Sequence, residues 1–473
     1  MKKVFADLHC HPTLKPYGQS FDDLVHSENR RNKTNIWQYD PPTLKDKLLQ
    51  FAGGLTRFRQ SNFTALAYGN VGVISASLYP LEQGFMLNKL PDGNLGDLLK
   101  NFITGVGKKR IDYVQSEHVY FDDLTNEYQF LLALNNKEYT IDGDRYKYIV
   151  ARNKSDIINY LDDQSPASNS VFTIVILISI EGAHSFGTGS NYKSNTANDA
   201  VILKNIGVVK NWEHRPIFMG LAHHFYNHIC GHAKSLRGIM ERTCNQSEGL
   251  NTGFTDLGLK VVKELLDNKN GKRILIDIKH MGAVAKKEYF SLLNTQYKAE
   301  NIPVVISHGG CIGNPTDRHL FFNEDINFTD EEILVVAKSR GIFGIQLDER
   351  RIASHEELQK TRGEISRKKI LYNWSKLVWR QIEHIAELLD ANDLFAWELQ
   401  SIGSDFDGLI DPINGYWTAE EIKFLDDYLL KHAYNYMNEN GKNLKLEANK
   451  INCEEIVNRV MGENGINFML RNF

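Results

Sequence analysis

The sequence has little of what marks secreted, membrane-spanning or nucleic-acid-binding chains. Its 473 residues include five scattered cysteines, which favours a reducing compartment over a disulfide framework. It has no run of about 18 apolar residues, so we expect no transmembrane helix. Lys and Arg number 55 against 59 Asp and Glu, so no basic surplus indicates nucleic acid or a membrane surface. We also expect no signal peptide, and therefore a cytoplasmic protein.

Eight apolar runs of strand length recur along the chain, and helical patterns lie between most of them. The runs cover residues 4–8, 71–78, 172–180, 217–222, 274–278, 304–307, 342–347 and 399–404. Strands that are apolar on both faces and alternate with helices are typical of a (β/α)8 barrel. The sequence therefore predicts an α/β fold of this TIM-like type.

The chain is longer than one such barrel, which needs about 250 residues. We predict a single barrel domain over residues 1–473 with two sizeable insertions. The first, 84–170, follows the second strand and is rich in polar residues. The second, 350–395, precedes the eighth strand and carries an apolar stripe at helical spacing. Capping-box patterns at Thr329 and Thr418 predict the starts of two further helices.

Two histidines, His9 and His11, stand at the end of the first apolar run. Side chains at positions i and i+2 of a strand face the same side, so these two imidazoles can bind one metal ion. A lone His-x-His pair is a weak signal, because histidines also occur in strands for packing alone. The remaining strand ends strengthen the metal hypothesis.

Side chains of the types that can bind metal ions follow five of the other predicted strands. They are Glu181, His223 or His224, His280, His308 and Asp405. The active sites of this barrel lie at the carboxyl ends of its strands. A carboxylate as deep as Glu181 is unfavourable unless a cation meets it, and imidazoles with carboxylates suit zinc or another first-row divalent ion. A bridging carboxylate with two histidines on each side would make a two-metal site. His184, His228 and His232 are expected to lie in loops or to support the ligands from outside.

These residues resemble the membrane (renal) dipeptidase family, which is peptidase family M19 of the amidohydrolase superfamily. The resemblance is most specific at residues 249–258, at the strand 276–280 and at the Gly-Ser-Asp-Phe-Asp-Gly stretch of 403–408. Weaker similarity lies at 68–74 and 454–464. The resemblance implies a metal-dependent hydrolase barrel with two divalent metal ions, most simply zinc. It also implies a small-molecule substrate, a dipeptide or related amide, and a homodimer.

The resemblance also implies a role for each site residue. His9 and His11 hold one ion, Glu181 bridges, His280 and His308 hold the other, and Asp405 lies beside a metal-bridging hydroxide and handles its proton. His223 polarises the scissile carbonyl of the bound substrate, and Arg318 lies near the place of an arginine that grips the substrate carboxylate. The spacing around Arg318 departs from the family's pattern.

The main departure is His11, because the family usually has an aspartate there. A neutral imidazole in place of a carboxylate makes the site one unit more positive, which lowers the pKa of bound water and can change substrate preference. The alternative is therefore another hydrolase on the same site, namely a lactonase, a deaminase or a phosphoesterase. A third hypothesis is a barrel that keeps the metal site but serves only to bind a partner.

Overall fold

The computed structural model describes residues 3–23, 27–53, 56–89, 93–116, 118–162, 171–190, 192–193 and 198–473. Eight parallel strands follow one another around a nearly closed barrel, with helices outside it. These strands are β1 (Phe5–Cys10), β2 (Val71–Leu78), β5 (Phe172–Ile180), β6 (Pro216–Gly220), β7 (Leu275–Asp277), β8 (Val305–Gly309), β9 (Ile342–Ile345) and β10 (Gln400–Ile402). The predicted (β/α)8 fold is confirmed.

The barrel closes where its first strand meets the segment after its last. Cys10 pairs with Phe406 in a parallel bridge. The backbone N–H of Asp405 donates to the carbonyl of His9 at 2.8 Å. The Ser404 hydroxyl donates to the buried Asp7 carboxylate at 2.5 Å. These bonds fix the residues that follow β10 against the end of β1.

The helices provide the outer layer. They are α1 (Leu14–Asp23), α2 (Leu44–Gly53), α3 (Phe63–Tyr68), α4 (Gln83–Met86), α5 (Asn94–Thr104), α6 (Lys108–Gln115), α7 (Tyr120–Leu132), α8 (Lys154–Asp162), α9 (Asp199–Lys210), α10 (Gly238–Thr243), α11 (Asp256–Leu266), α12 (Ala283–Thr295), α13 (Asp330–Lys338), α14 (Glu349–Ile352), α15 (His355–Arg362), α16 (Arg367–Ala391), α17 (Ile422–Glu439), α18 (Cys453–Asn458) and α19 (Asn464–Asn472). Both predicted capping boxes form, at Thr329 ahead of α13 and at Thr418 shortly before α17. In the part of the chain that the structure describes, no helix has the length and apolarity to cross a membrane.

The two long predicted insertions contain secondary structure of their own. Segment 84–170 includes α5 to α8 and the hairpin of β3 (Tyr139–Ile141) and β4 (Asp144–Val150), and β4 extends the sheet beside β5. Its residues 90–92, 117 and 163–170 lie outside the described part. Segment 350–395 is dominated by α16, whose predicted apolar stripe is buried at Trp374, Val378 and Ile385. The division into one barrel domain and two insertions stays a prediction.

Candidate metal and active site

The carboxylate of Glu181 lies at the centre of the carboxyl end of the barrel. It directly follows β5, and its residue is 6% exposed. One oxygen, Oε1, lies 3.6 Å from His9 Nε2 and 3.4 Å from His280 Nε2. The same oxygen lies 3.7 Å from His308 Nε2, and Oε2 lies 3.0 Å from His11 Nε2. Four imidazoles from three strand ends therefore surround one buried carboxylate.

The first histidine pair is arranged as a chelating pair. The Nε2 atoms of His9 and His11 lie 3.1 Å apart. The Nδ1–H of His11 donates to the carbonyl of Ser77 at 3.1 Å, and because a carbonyl only accepts, this bond leaves Nε2 as the nitrogen that can bind an ion. Burial lowers the pKa of His11, but the adjacent Glu181 outweighs it and raises this pKa to about 9, so an ion would displace a proton from Nε2. A fixed tautomer of this kind is what a metal-binding histidine requires.

His280 and His308 approach Glu181 from neighbouring strands. His308 lies within β8, and His280 follows β7 with a positive φ of 66°. Burial lowers the pKa of His280 to about 3, so the imidazole is neutral at pH 7 and can act as a ligand. Burial alone would raise the pKa of Glu181, but the surrounding imidazoles outweigh it and lower it well below its ordinary value.

Asp405 faces the same group from the end of β10. Its Oδ1 lies 3.6 Å from His11 Nε2, and its Oδ2 lies 3.9 Å from His308 Nε2. The amide of Gln346 donates to Oδ2 at 2.7 Å, which fixes the rotation of the carboxylate. Burial raises the pKa of Asp405 to about 6, with the nearby Glu181 adding to the rise.

A hydrogen bond to a second buried acid, Glu82, fixes the position of His223. The Nδ1–H of His223 donates to Glu82 Oε2 at 2.5 Å, and its Nε2 lies 3.5 Å from Glu181 Oε1. Tyr79 also donates a hydrogen bond to Glu82 at 3.0 Å. Burial would raise the pKa of Glu82, but the adjacent His223 and a second histidine outweigh it and lower it to about 2.

The histidines and acids face a cavity of about 260 Å³. Its wall combines the site residues with apolar side chains such as Phe85 and Met240, and with the cations Lys279 and Arg351. The guanidinium of Arg351 donates to a backbone carbonyl through Nη2, and among the described residues its buried Nη1 has no hydrogen-bond partner. The cavity therefore offers a free positive donor a short way from the histidine cluster.

The chemistry of these side chains fits divalent metal ions. Ligand atoms of His9, His11 and Asp405 lie within 4.8 Å of one another, and so do those of His9, Glu181 and His308. Neutral imidazoles and carboxylates are the ligand types that zinc and its neighbours prefer. The site residues present are thus suited to hold such ions.

A comparison with protein families decides what kind of protein carries this arrangement. The profile of the membrane dipeptidases, peptidase family M19, matches residues 126–444. The chain belongs to this family. The resemblance seen in the sequence is confirmed, and the protein is a metal-dependent hydrolase of dipeptidase type. The matched region includes Glu181, His280, His308 and Asp405.

Solved structures have the same fold as this membrane dipeptidase family member. The dipeptidase AC, a family M19 metallopeptidase, aligns over 100% of this chain and 99% of its own, with a TM-score of 0.51 and 13% identity. A metallopeptidase from Rhodobacter sphaeroides, liganded with a phosphinate mimic of the dipeptide L-Ala-D-Ala, covers 99% of both chains at a TM-score of 0.51 and 13% identity. A probable dipeptidase from Pseudomonas aeruginosa covers 86% of this chain and 88% of its own at 0.50 and 14%. A comparison of the chain with curated protein sequences found no match.

The structure brings most of the predicted site residues of this family member together, with one exception. The metal ligands predicted from five strand ends, and His223 from a sixth, meet around Glu181. Arg318 does not join them, since it is exposed on a short 3-10 helix, Arg318–Leu320, and does not line the cavity. His184, expected in a loop or as a supporting residue, is buried and donates to the carbonyl of Pro80 at 2.8 Å.

Sequence reasoning missed four polar residues that shape the site. They are Glu82, Lys279, Gln346 and Arg351. Glu82 and Arg351 lie in or beside connecting segments without any periodic or motif signal. Lys279 lies two residues after β7, and Gln346 directly follows β9. A rule that considers every polar residue near a strand end could have found both.

Proposed function

We propose that the protein is a dipeptidase that works with two divalent metal ions, zinc in the first instance. His9 and His11 would hold one ion, His280 and His308 the other, and Glu181 would contact both. The observation that carries this proposal is the position of Glu181, whose two oxygens lie within 3.7 Å of all four imidazoles. Bound there, such ions lower the pKa of a water molecule to about 7 and polarise a carbonyl.

Asp405 would move the proton in this reaction. Its carboxylate lies beside both histidine pairs, and the Gln346 amide keeps one oxygen in place. A carboxylate with a raised pKa is suited to accept a proton from the attacking water and to donate it to the leaving amine. Asp405 is therefore the proposed general base and then general acid.

His223 would stabilise the charge that develops on the substrate's carbonyl oxygen. Because Nδ1–H is engaged by Glu82, the other nitrogen faces the cavity and Glu181. An ionised Glu82 favours the doubly protonated ring, which can donate from Nε2. A donor fixed in this way before the reaction is the requirement for oxyanion stabilisation.

The cavity supports a small substrate with a free carboxylate. Its volume of about 260 Å³ suits a molecule of dipeptide size, and apolar residues such as Leu236 line part of it. Arg351 offers a buried guanidinium nitrogen with no partner among the described residues. We propose Arg351 for the carboxylate contact, because the exposed Arg318 does not line this cavity.

A second candidate function follows from His11, which gives the site one carboxylate fewer than an aspartate would. The alternative substrates for such a site are a lactone, an aminated ring or a phosphate ester. The purified full-length chain should be assayed against a panel of dipeptides, lactones, deaminase substrates and phosphate esters, together with its metal content. We expect about two zinc ions per chain and turnover of dipeptides. Turnover of another class alone would favour the second candidate, and bound metal without any turnover would favour a binding role.

The variant His280→Ala tests the assignment of the second ion. It removes one of the two imidazoles proposed for that ion, so both its occupancy and dipeptide hydrolysis should be lost. Elemental analysis and turnover are measured on the same preparation. Wild-type turnover with intact metal content would contradict the assignment.

A further inference from the structure

Three histidines form a second imidazole cluster on the wall of the cavity. His223 and His224 follow β6, and His280 follows β7. The ring centroids are 3.9 Å apart for the first two, and lie 4.6 and 5.1 Å from the ring of His280. One nitrogen from each ring lies within 4.8 Å of the other two, and all three rings line the cavity. This spacing suits three ligands of one ion.

The hydrogen bonds behind these rings support the same interpretation. Metal-binding histidines generally engage their second nitrogen with a hydrogen-bond partner such as a carboxylate, a backbone carbonyl or water. His223 does so with Glu82, and His224 Nδ1 lies 2.6 Å from the hydroxyl oxygen of Ser235. Gln246 donates to that hydroxyl at 2.8 Å and fixes it. The Nε2 atoms of His223 and His224 therefore face the cavity side, where an ion would displace the proton that His223 carries on Nε2.

We propose that His223, His224 and His280 form a cation position of their own, which takes a divalent first-row ion such as zinc. This inference rests on the proposed function, because His280 would serve both positions, with one ring nitrogen for the pair of ions around Glu181 and the other for the third ion. Neither of its ring nitrogens has a hydrogen-bond partner among the described residues. For the same reason the position is the weaker one and fills only after the pair. His224 is the residue that makes it possible, since it contributes to no other ligand group among the described residues.

Occupation of this position would inhibit hydrolysis. An ion on Nε2 of His223 takes away the donor proposed for the substrate's carbonyl oxygen. It also lies where the substrate must enter, since all three rings line the cavity. Excess zinc should therefore compete with substrate, and the cluster makes activity sensitive to the free zinc concentration.

The direct test counts bound zinc, independently of activity. Full-length protein is freed of metal with a chelator, dialysed against a series of zinc concentrations and measured by elemental analysis. Wild type should bind two tight equivalents and a weaker third, whereas His224→Asn should bind only two. The control is His228→Asn in the same loop, at a φ of 59° that asparagine tolerates, and it should bind as wild type does.

A second variant keeps the test informative if His224→Asn folds poorly. Ser235→Ala leaves all three rings in place but removes the hydroxyl behind His224. Loss of such a supporting group weakens metal affinity by about 10- to 100-fold, so the third equivalent should need correspondingly more zinc. In dipeptide assays, inhibition of Ser235→Ala by excess zinc should shift by the same factor.

Two results would overturn the inference. One is a wild-type protein that binds no third equivalent at any zinc concentration at which it stays soluble. The other is a third equivalent that His224→Asn and Ser235→Ala retain with unchanged affinity. A wild-type protein that lacks even the two tight equivalents would instead contradict the proposed function, so the two failures are distinguishable.

Discussion

Glu82 and His223 are 141 positions apart in the chain, yet their hydrogen bond of 2.5 Å is among the shortest contacts near the site. Glu82 also accepts from the backbone N–H of Phe225 at 3.1 Å, which fixes the loop that carries His223. A buried carboxylate held in this way sets both the tautomer and the orientation of the ring. Glu82 is therefore a positioning residue for the proposed oxyanion donor.

The variant Glu82→Gln should show whether Glu82 positions His223 for catalysis or only stabilises the fold. The amide keeps the size of the side chain and an oxygen for Phe225, but removes the charge that favours a protonated His223. We expect kcat to fall by about 10- to 100-fold with little change in KM. Steady-state kinetics with elemental analysis checks this, since metal content should be unchanged. Loss of metal in parallel with kcat would mean that Glu82 acts only through the fold.

Arg351→Met and Arg318→Met form a matched pair for the substrate carboxylate. A lost hydrogen bond to a charged group costs about 1.5–3 kcal/mol, so Arg351→Met should raise KM for dipeptides by about tenfold or more. Arg318→Met should leave KM unchanged, because Arg318 is exposed outside the cavity. The opposite result would restore the role that the family resemblance implies for Arg318.

Residues at strand ends could be predicted from the sequence, whereas their supporting partners could not. His9, Glu181 and His308 each follow or end an apolar run, so the barrel rule alone brings them to one end of the molecule. Glu82 lies beyond the end of β2, and Arg351 lies in an acidic and basic run that is typical of an exposed helix. Only the three-dimensional path of the chain gives these two side chains their partners.

Of the contacts between elements, the site depends most on the contact between β1 and the segment that follows β10. The Asp7 carboxylate accepts from the backbone N–H groups of His9 and Ser404 at 3.1 and 2.9 Å. It also accepts from the hydroxyl of Ser404. The same contacts hold His9 and Asp405 beside each other, so barrel closure and site geometry share one set of hydrogen bonds.

Asp7→Ala should therefore lower stability and metal affinity together. It leaves buried donors without an acceptor, and each such donor costs about 1–3 kcal/mol. We expect a loss of about 3 kcal/mol in the free energy of unfolding, measured by urea denaturation. Asp7→Asn retains one acceptor oxygen and should lose less. Equal stability of wild type and Asp7→Ala would contradict the proposed importance of this contact.

Strand existence was easier to predict than strand limits. Runs 71–78 and 172–180 match β2 and β5 because both strands are long and apolar throughout. The other six strands differ from the predicted runs by one or two residues at one or both ends, because apolar and polar residues mix where each strand begins and ends. The β3–β4 hairpin was not predicted, because its β4 carries exposed and partly buried positions rather than an apolar run.

At the scale of the whole molecule, the buried charge of the site links metal binding to stability. Glu181 and Asp405 are both buried, and their neighbours among the described residues include the imidazole of His9 and the amide of Gln346. Ligands that bind only the folded state stabilise it by about 4 kcal/mol at 1,000 times their Kd. Removal of metal by a chelator should therefore lower Tm by about 5 °C or more. Calorimetry checks this, and an unchanged Tm would mean that metal does not bind at this buried centre.

The most direct test of the account is X-ray diffraction from crystals of the full chain at the zinc absorption edge, at a zinc concentration that fills only the tight sites. The account predicts two anomalous peaks on either side of Glu181, one at His9 and His11 and the other at His280 and His308. A single peak, or peaks that do not contact Glu181, would contradict it.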